Sequence, residues 1–183
     1  MRYKSEQKEH TRKKIIDAAE RSFKKHGYSG IGVDGLAKEA GVTSGAFYGH
    51  FKSKQDVFQE SIASGLDDVA DAIVEMKQNF TDDWWKEFAK FYTSNRRTCD
   101  LSESCAMQTL TPEVGRSDEA IKEMYESKIL NIVKVASKGS SNKQQEKTWA
   151  NLAMLIGGVT LARAVNDEKL SKTIATAINN QFK

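Results

Sequence analysis

The sequence predicts an all-α protein with about nine helices. Apolar residues recur at intervals of three and four along most of the 183 residues, which is the spacing of amphipathic helices. Capping residues followed by acidic residues or proline precede several of these segments, and no run of alternating β-branched residues interrupts them.

Three helices are predicted in the N-terminal third of the chain. The first covers about residues 5–26 and is ended by Gly27, and the second covers 33–40 and is ended by Gly41. A third, shorter helix is expected at about 44–51. The apolar faces of the first two are formed by Ile15, Ile16, Ala19 and Phe23, and by Val33, Leu36, Ala37 and Ala40.

Capping signals place the remaining helices. Ser53 and Asp56 have the spacing of a capping box at the start of a long helix. Hydroxyl residues that precede acids or proline predict further starts at Thr81, Thr111 and Ser117. A polar loop is expected at 138–143, and it is followed by two helices, at about 143–165 and 168–181.

Charge is distributed unevenly along the chain, although the net charge is only +3. Residues 1–54 carry 12 Lys and Arg against 6 Asp and Glu, and the rest of the chain is mildly acidic. This pattern favours a polyanion partner for the N-terminal part, with a solvated basic face as the alternative. Without a signal peptide or an apolar segment long enough for a membrane, and with only two cysteines, we expect a cytoplasmic protein.

Two glycines in the third predicted helix raise a question, because glycine is a poor helix former. Phe47 and Phe51 share the face that must be buried, and Gly45 and Gly49 fall nearly opposite them. A helix with so bare an outer face could approach the major groove of DNA closely. The alternative is close helix packing inside the protein. The candidate DNA-binding groups at and beside this helix are Thr43, Ser44, Ala46, Tyr48, His50 and Lys54.

The segment Thr11–Ile62 resembles the N-terminal DNA-binding domain of the TetR family of transcriptional regulators. Its sequence contains T-R-x-x-I-x-x-A-A-x-x-x-F-x-x-x-G-Y, then V-x-x-L-A-x-x-A-G-V, then S-G-A-F-Y-x-H-F-x-S-K. The resemblance implies a helix-turn-helix domain at 5–54 and a ligand-binding and dimerisation domain at 55–183. It also implies that Tyr48 and Lys54 hold phosphates, that Thr43, Ser44 and Ala46 lie at the groove, and that Val33 opens the second helix near the DNA backbone.

An aromatic-rich segment at 84–92 is compatible with a protein core or with the wall of a ligand pocket. The resemblance favours a pocket, because the ligand cavity of the family lies among its middle helices. The residues expected to face it are Trp85, Phe88, Tyr92, Cys105, Met107, Met124, Tyr125 and Trp149.

Cys105 has two interpretations. A lone cysteine is most often a small buried apolar residue. The other interpretation is a thiol sensor of electrophiles or oxidants, because the surrounding segment resembles a branch of the family that contains such sensors. Reactivity would require a lowered pKa, as in the first turn of a helix capped by Ser102 or Ser104.

The last two predicted helices are expected to pair with their copies in a four-helix dimer interface, as the resemblance implies. Gly157 and Gly158 allow close helix approach. An intramolecular core is the alternative. The residues assigned to the interface are Ala153, Ile156, Gly157, Leu170, Ile174, Ala177 and Ile178.

No enzyme motif is found: the three histidines are scattered, and there is no metalloprotease, P-loop or nucleophile-elbow signature. We therefore expect no catalytic residues, no metal site and no cofactor. Together with the resemblance, the sequence predicts a homodimeric transcriptional regulator that binds double-stranded DNA. It is expected to be a repressor that a small molecule, or modification of Cys105, releases from a pseudo-palindromic operator. A ligand-independent DNA-binding protein and an all-helical protein adaptor remain the alternatives.

Overall fold

Within residues 2–137 and 141–182, which the computed structural model describes, the chain forms ten α-helices and three short 3₁₀ turns, with no strand. The all-α prediction is confirmed. The count exceeds nine because a helix of only four residues, Ala106–Thr109, was not predicted. The helices are α1 Arg2–His26, α2 Val33–Glu39, α3 Ser44–Tyr48, α4 Lys54–Phe80, α5 Trp84–Thr98, α6 Ala106–Thr109, α7 Thr111–Gly115, α8 Glu119–Ala136, α9 Asn142–Ala164 and α10 Glu168–Asn179. The predicted loop at 138–143 falls partly outside the described residues.

The described residues divide into two compact units. The first consists of residues up to Gly65 together with Leu101–Tyr125, and the second of Leu66–Asp100 together with the described residues from Glu126 onward. The first unit therefore contains more of the chain than the helix-turn-helix domain expected at 5–54. The functional boundary between 54 and 55 stays a prediction.

The first unit is built on the apolar face of α1. Ile15, Ala19 and Phe23 are fully buried, as predicted, whereas Ile16 is only half-buried. Phe23 packs against Phe58 of α4 with ring centres 5.0 Å apart. This contact fixes α1 against the start of α4, next to α2 and α3.

The second unit has an aromatic core on α5. Trp84, Phe88 and Tyr92 are buried, whereas Phe91 is half-exposed beside Arg96. The buried line follows a spacing of four residues, and Phe91 lies one residue outside it. Within the same unit α9 packs closely on α10, since a Cβ atom at Gly158 would lie 1.6 Å from Cδ1 of Ile178.

Three of the predicted helix starts are wrong in detail. Thr81 begins a 3₁₀ turn with φ of 44° and caps no helix, because α5 starts at Trp84. Thr111 is already inside α7, where its hydroxyl donates to the carbonyl of Met107. The start of α8 is capped by Asp118 rather than Ser117, since Oδ1 of Asp118 accepts from the amide of Ile121. The hydroxyls of Thr111 and Ser117 bond backward along the chain instead, to the carbonyls of Met107 and Glu113.

None of the described helices is long and apolar enough to cross a membrane.

Candidate nucleic-acid interface

The short helix α3 presents one buried face and one bare face. Phe47 is fully buried and Phe51 nearly so, with ring centres 5.7 Å apart. Gly45, Ala46 and Tyr48 are exposed, and Tyr48 is 57% accessible. The predicted orientation of this helix is therefore confirmed, although the helix ends at Tyr48 rather than at Phe51.

A tight turn connects α2 to α3. Gly41 adopts a φ of 67°, in the left-handed region that glycine enters without steric cost. The amide of Val42 donates to the carbonyl of Ala37 at 2.9 Å, which closes the last turn of α2. Leu36 and Ala37 anchor α2 in the core. The result is the helix–turn–helix arrangement predicted from the sequence.

Two adjacent hydroxyls stand at the start of α3. Thr43 is the N-cap, and its Oγ1 accepts from the amide of Ala46 at 3.1 Å. The hydroxyl of Ser44 donates to Oδ1 of Asp34 on α2 at 2.6 Å. These two bonds fix both hydroxyls at the N-terminus of α3, and the second also links α3 to α2. We call residues 43–51, which include α3, the recognition segment.

Gly45 is not a packing glycine. A Cβ atom at this position would meet only Oγ1 of Thr43, at 3.9 Å, among the described residues. At Gly49 a Cβ atom would lie 3.2 Å from the carbonyl oxygen of Ala46, so that position is tighter. Close helix packing within the second unit therefore explains the glycine at 158, but no close packing within the first unit explains the glycine at 45.

Arg12 of α1 contacts the C-terminal end of the recognition segment, at Phe51. Its guanidinium lies 4.7 Å from the ring centre of Phe51 and pairs with the carboxylate of Glu60 on α4. The hydrogen bond to Glu60 raises the pKa of Arg12 further. One side chain thus links α1, α4 and the segment that follows α3.

His50 is half-buried, and its Nδ1 atom is buried without a hydrogen-bond partner. Burial lowers the pKa of His50, and the positive charges of Lys8 and Arg12 lower it further. The neutral imidazole is therefore favoured, so this residue is a weaker candidate for a phosphate contact than its position in the sequence suggested.

Lys54, the first residue of α4, sits over an aromatic ring. Its Nζ atom lies 4.3 Å from the ring centre of Tyr28, and burial lowers the pKa of this lysine. The predicted capping box at this helix start is confirmed in part. Oγ of Ser53 accepts from the amide of Asp56, but the carboxylate of Asp56 accepts from the amide of Lys52 rather than from that of Ser53.

The structure groups the predicted DNA-binding residues unevenly. Thr43, Ser44, Ala46 and Tyr48 lie together on α3 and at its N-terminus, and Val33 is the half-buried first residue of α2. Lys54 lies over the ring of Tyr28, and His50 is half-buried with its Nδ1 atom unpartnered. Sequence reasoning missed Arg12, which stands in the quoted T-R motif, and Asp34, an acid in the first turn of α2.

The candidate ligand-binding residues fall in both units. In the second unit, Trp85 stacks on Trp84 at 4.2 Å and contacts Phe88, whose ring centre is 5.8 Å from that of Tyr92. Trp149 is 38% exposed on α9 and has no contact with this cluster among those described. The cluster is thus a continuous row of aromatic rings along α5, and Phe182, in the 3₁₀ turn after α10, extends it with a ring centre 6.0 Å from that of Trp85.

The first unit contains Cys105 and three further candidates, Met107, Met124 and Tyr125. Cys105 is 6% exposed and Met107 is buried, whereas Met124 and Tyr125 are half-buried. The hydroxyl of Tyr125 lies 2.7 Å from that of Thr111, and burial raises the pKa of Tyr125.

The expected cap of the helix at Cys105 is not found. Cys105 itself occupies the N-cap position of α6, a helix of four residues, and no side chain caps this end. The hydroxyl of Ser104 instead donates to the carbonyl of Leu101. Cys105 therefore lies before the first turn and not within it.

The predicted dimer residues lie on α9 and α10, and most of them are open to solvent. Ala153, Gly157, Leu170 and Ala177 are exposed, and Ile156 and Ile174 are half-buried. Ile178 also contacts Gly158 within the chain. No described group of three His, Cys, Asp or Glu side chains could hold a metal ion.

Comparison with known proteins assigns the helix-turn-helix segment. Residues 15–61, which include α2 and α3, match the family model described as bacterial regulatory proteins, tetR family. This segment is a tetR-family domain. The match covers the Phe47 and Phe51 core of the recognition segment as well as Arg12's partner, Glu60.

Curated relatives match the same end of the chain. The chain is 38% identical over 73 residues to the transcriptional regulator AcrR of Shigella flexneri, covering 40% of this chain and 34% of that protein. It is 35% identical over 66 residues to IcaR of Staphylococcus aureus (strain Newman), a negative transcriptional regulator, covering 36% of this chain and 35% of that one. The match thus spans about a third of the length of these tetR-family relatives, which are regulators and not enzymes.

The fold of nearly the whole chain resembles solved tetR-family structures. The reduced form of NemR from E. coli superposes with a TM-score of 0.76 at 18% identity, covering 93% of this chain and 96% of that one. A transcriptional regulator from Saccharomonospora viridis in complex with choline superposes with a TM-score of 0.72 at 14% identity, covering 94% and 95%. At these identities the resemblance concerns the fold alone.

Proposed function

We propose that this protein is a sequence-specific DNA-binding transcriptional regulator. The observation that carries the proposal is the outer face of α3, where Gly45 has open space around it and is flanked by hydroxyl groups. Such a face suits a helix that must bring its backbone close to base edges in the major groove. The tetR-family domain at 15–61 supports the same function.

Individual groups have distinct tasks in this proposal. Thr43 and Ser44 stand at the N-terminal end of α3, the part of a recognition helix that contacts base edges. The exposed hydroxyl of Tyr48 contacts a phosphate, and Ala46 contacts a thymine methyl group. Lys54 contributes to phosphate binding from its position over Tyr28, and Val33 lies near the DNA backbone.

We further propose that two copies act together through α9 and α10. Exposed apolar residues along both helices, including Leu161 at 63% exposure and Leu170, leave a surface that a second copy would cover. A two-fold dimer presents two recognition helices about 34–36 Å apart and reads a pseudo-palindromic site. Both copies act in the cytoplasm, where the DNA is.

We assign repression as the sign of regulation, with release by a small molecule or by modification of Cys105. The negative regulator IcaR among the relatives supports repression, and the choline complex of the structural relative from Saccharomonospora viridis supports a small-molecule inducer. The structure of NemR is described as a reduced form, which supports a redox-dependent release in which a cysteine such as Cys105 takes part. Because binding energies are linked, an inducer that weakens DNA binding is itself bound more weakly by the DNA complex.

Selection of bound duplexes from a random DNA library tests this function. It is done at near-physiological salt, because phosphate contacts are strongly salt-dependent. Enrichment of one inverted repeat is the expected result. Binding without any enriched sequence, or no binding at all, would contradict the proposal and favour a helical adaptor that binds another protein.

A further inference from the structure

The two adjacent hydroxyls at the start of α3 have opposite hydrogen-bonding capacity. A hydroxyl has one proton to donate and two lone pairs to accept with. Thr43 uses a lone pair to accept from the amide of Ala46, so its proton stays available. The hydroxyl of Ser44 donates its proton to Oδ1 of Asp34, so its Oγ can only accept further hydrogen bonds.

The direction of the Ser44 bond is set by its partner. A carboxylate can only accept, so the proton between the two oxygens must come from Ser44. At 2.6 Å this is the short distance of a charge-assisted O–H···O bond. Asp34 belongs to α2, whose Leu36 and Ala37 are anchored in the core, so the carboxylate is held in place while α3 meets its target.

We infer that Asp34 is a specificity-determining residue that makes Ser44 an obligate hydrogen-bond acceptor. In the major groove the hydrogen-bond donors are the amino groups of adenine N6 and cytosine N4, whereas guanine O6 and N7 and thymine O4 are acceptors. Ser44 therefore selects adenine or cytosine, the bases whose amino groups lie in the major groove, at the position it contacts. Thr43, which keeps its proton, meets an acceptor, either a base oxygen or nitrogen or a phosphate.

This inference rests on the proposed DNA-binding function and makes that function more specific. A free serine can donate or accept and so discriminates little between bases. A serine that already donates its proton can only accept. Opposite an acceptor on a base, its oxygen would face another oxygen or nitrogen without a hydrogen bond. The discrimination expected from one such hydrogen bond is roughly three- to tenfold in affinity.

The test compares base preferences of the full-length protein and its variants, by duplex selection followed by titration of single-base variants of the enriched site. Wild type is expected to favour adenine or cytosine by roughly three- to tenfold at one position in each half-site. Asp34→Ala frees the Ser44 proton and is expected to abolish that preference while leaving the other positions unchanged. Ser44→Ala is expected to abolish it too, and the double variant is expected to match Ser44→Ala.

A matched control separates this effect from charge. Glu39 is an exposed acid on the same helix, and Glu39→Ala removes the same charge without contacting Ser44. Both Ala variants are expected to strengthen binding to all sequences, since each removes one negative charge near the phosphates. Only Asp34→Ala is expected to change the base preference.

The outcomes distinguish this inference from the proposed function. If wild type enriches an inverted repeat and Asp34→Ala keeps the same preference at every position, the role of Asp34 is refuted while DNA recognition stands. If wild type enriches no sequence, both are refuted. Should Asp34→Ala fail to fold, Asp34→Leu makes the same test, because its side chain is of similar size and has no acceptor for the Ser44 proton; an unchanged preference there has the same meaning.

Discussion

The guanidinium of Arg12 lies 4.7 Å from the ring centre of Phe51, although 38 positions separate the two residues in the chain. Phe51 is buried behind α3, and Arg12 also pairs with Glu60 on α4. This contact orients residues 43–51, which include α3, against two long helices, so we expect it to contribute to DNA binding by positioning α3.

Arg12→Ala is expected to lower the free energy of unfolding by on the order of 1 kcal/mol, since it removes a cation–π contact and a partly exposed ion pair. DNA affinity is expected to fall by more than the loss of one charge explains. Lys13 is an exposed basic neighbour, and Lys13→Ala is the control for charge alone. Urea unfolding and DNA titration measure both effects; equal losses of affinity in the two variants would contradict a positioning role.

Gly45→Leu is expected to leave the protein folded and to abolish specific DNA binding. The added side chain has open space in the described structure, and replacing glycine favours helix by up to about 1 kcal/mol. The same side chain would occupy the space that a base edge needs. Gly115→Leu on α7 is the control, because its Cβ atom also meets nothing within 4 Å. Thermal unfolding measures whether the variant is folded, and DNA titration measures its affinity. A Gly45→Leu variant that binds with wild-type affinity would show that α3 does not lie at the DNA.

Ile156→Asp is expected to give a monomer that binds DNA weakly. Ile156 is half-buried on the exposed apolar side of α9, and a charge there opposes burial against a second copy. Leu130→Asp places the same charge on an exposed position of α8 and serves as the control. Sedimentation equilibrium measures the assembly state. A dimer that persists in Ile156→Asp, or a monomer in Leu130→Asp, would place the interface elsewhere.

Alkylation of Cys105 is expected to weaken DNA binding slowly. The thiol is 6% exposed, so a maleimide reagent can reach it only when the surrounding structure opens locally. The alkyl group then added does not fit into the packed structure when it closes again. Cys105→Ser is expected to bind DNA and to resist the reagent, whereas Cys99→Ser is expected to stay sensitive. The time course of DNA release measures this. A Cys105→Ser protein that still loses DNA at the wild-type rate would exclude this residue as the sensor.

The pH dependence of stability is expected to include a contribution from His50. Its pKa in the folded protein lies below the ordinary value of 6.5, because burial and the charges of Lys8 and Arg12 disfavour the protonated form. As pH falls below 6.5 the unfolded chain takes up the proton first, so this contribution is present above 6.5 and is lost as pH falls through the folded pKa.

Urea unfolding of wild type and His50→Gln at a series of pH values measures that contribution. As pH falls below 6.5, the free energy of unfolding of wild type is expected to fall relative to that of His50→Gln. Above pH 6.5 the difference between the two is expected to be constant. A difference that does not vary with pH would mean that His50 has the same proton affinity in both states.

The local order of the first unit follows from the sequence. The spacing of Ile15, Ala19 and Phe23 and of Phe47 and Phe51 predicts the buried faces, because a helix repeats every 3.6 residues whatever it packs against. Gly41 marks the turn, since few other residues adopt a positive φ. The capping box predicted at Ser53 is confirmed only in part, because the carboxylate of Asp56 accepts from the amide of Lys52 instead of from that of Ser53.

What only the tertiary structure decided are the relationships between residues distant in sequence. No local pattern indicates that Asp34 accepts the proton of Ser44, that Arg12 covers Phe51, or that Gly158 accommodates Ile178. The sequence by itself determined which residues form helices and which faces are apolar, because these depend on contacts within a few residues. The hydrogen-bonding capacity of the DNA-facing hydroxyls and the burial of Cys105 depend on which helices meet, and that is set by packing of the whole chain.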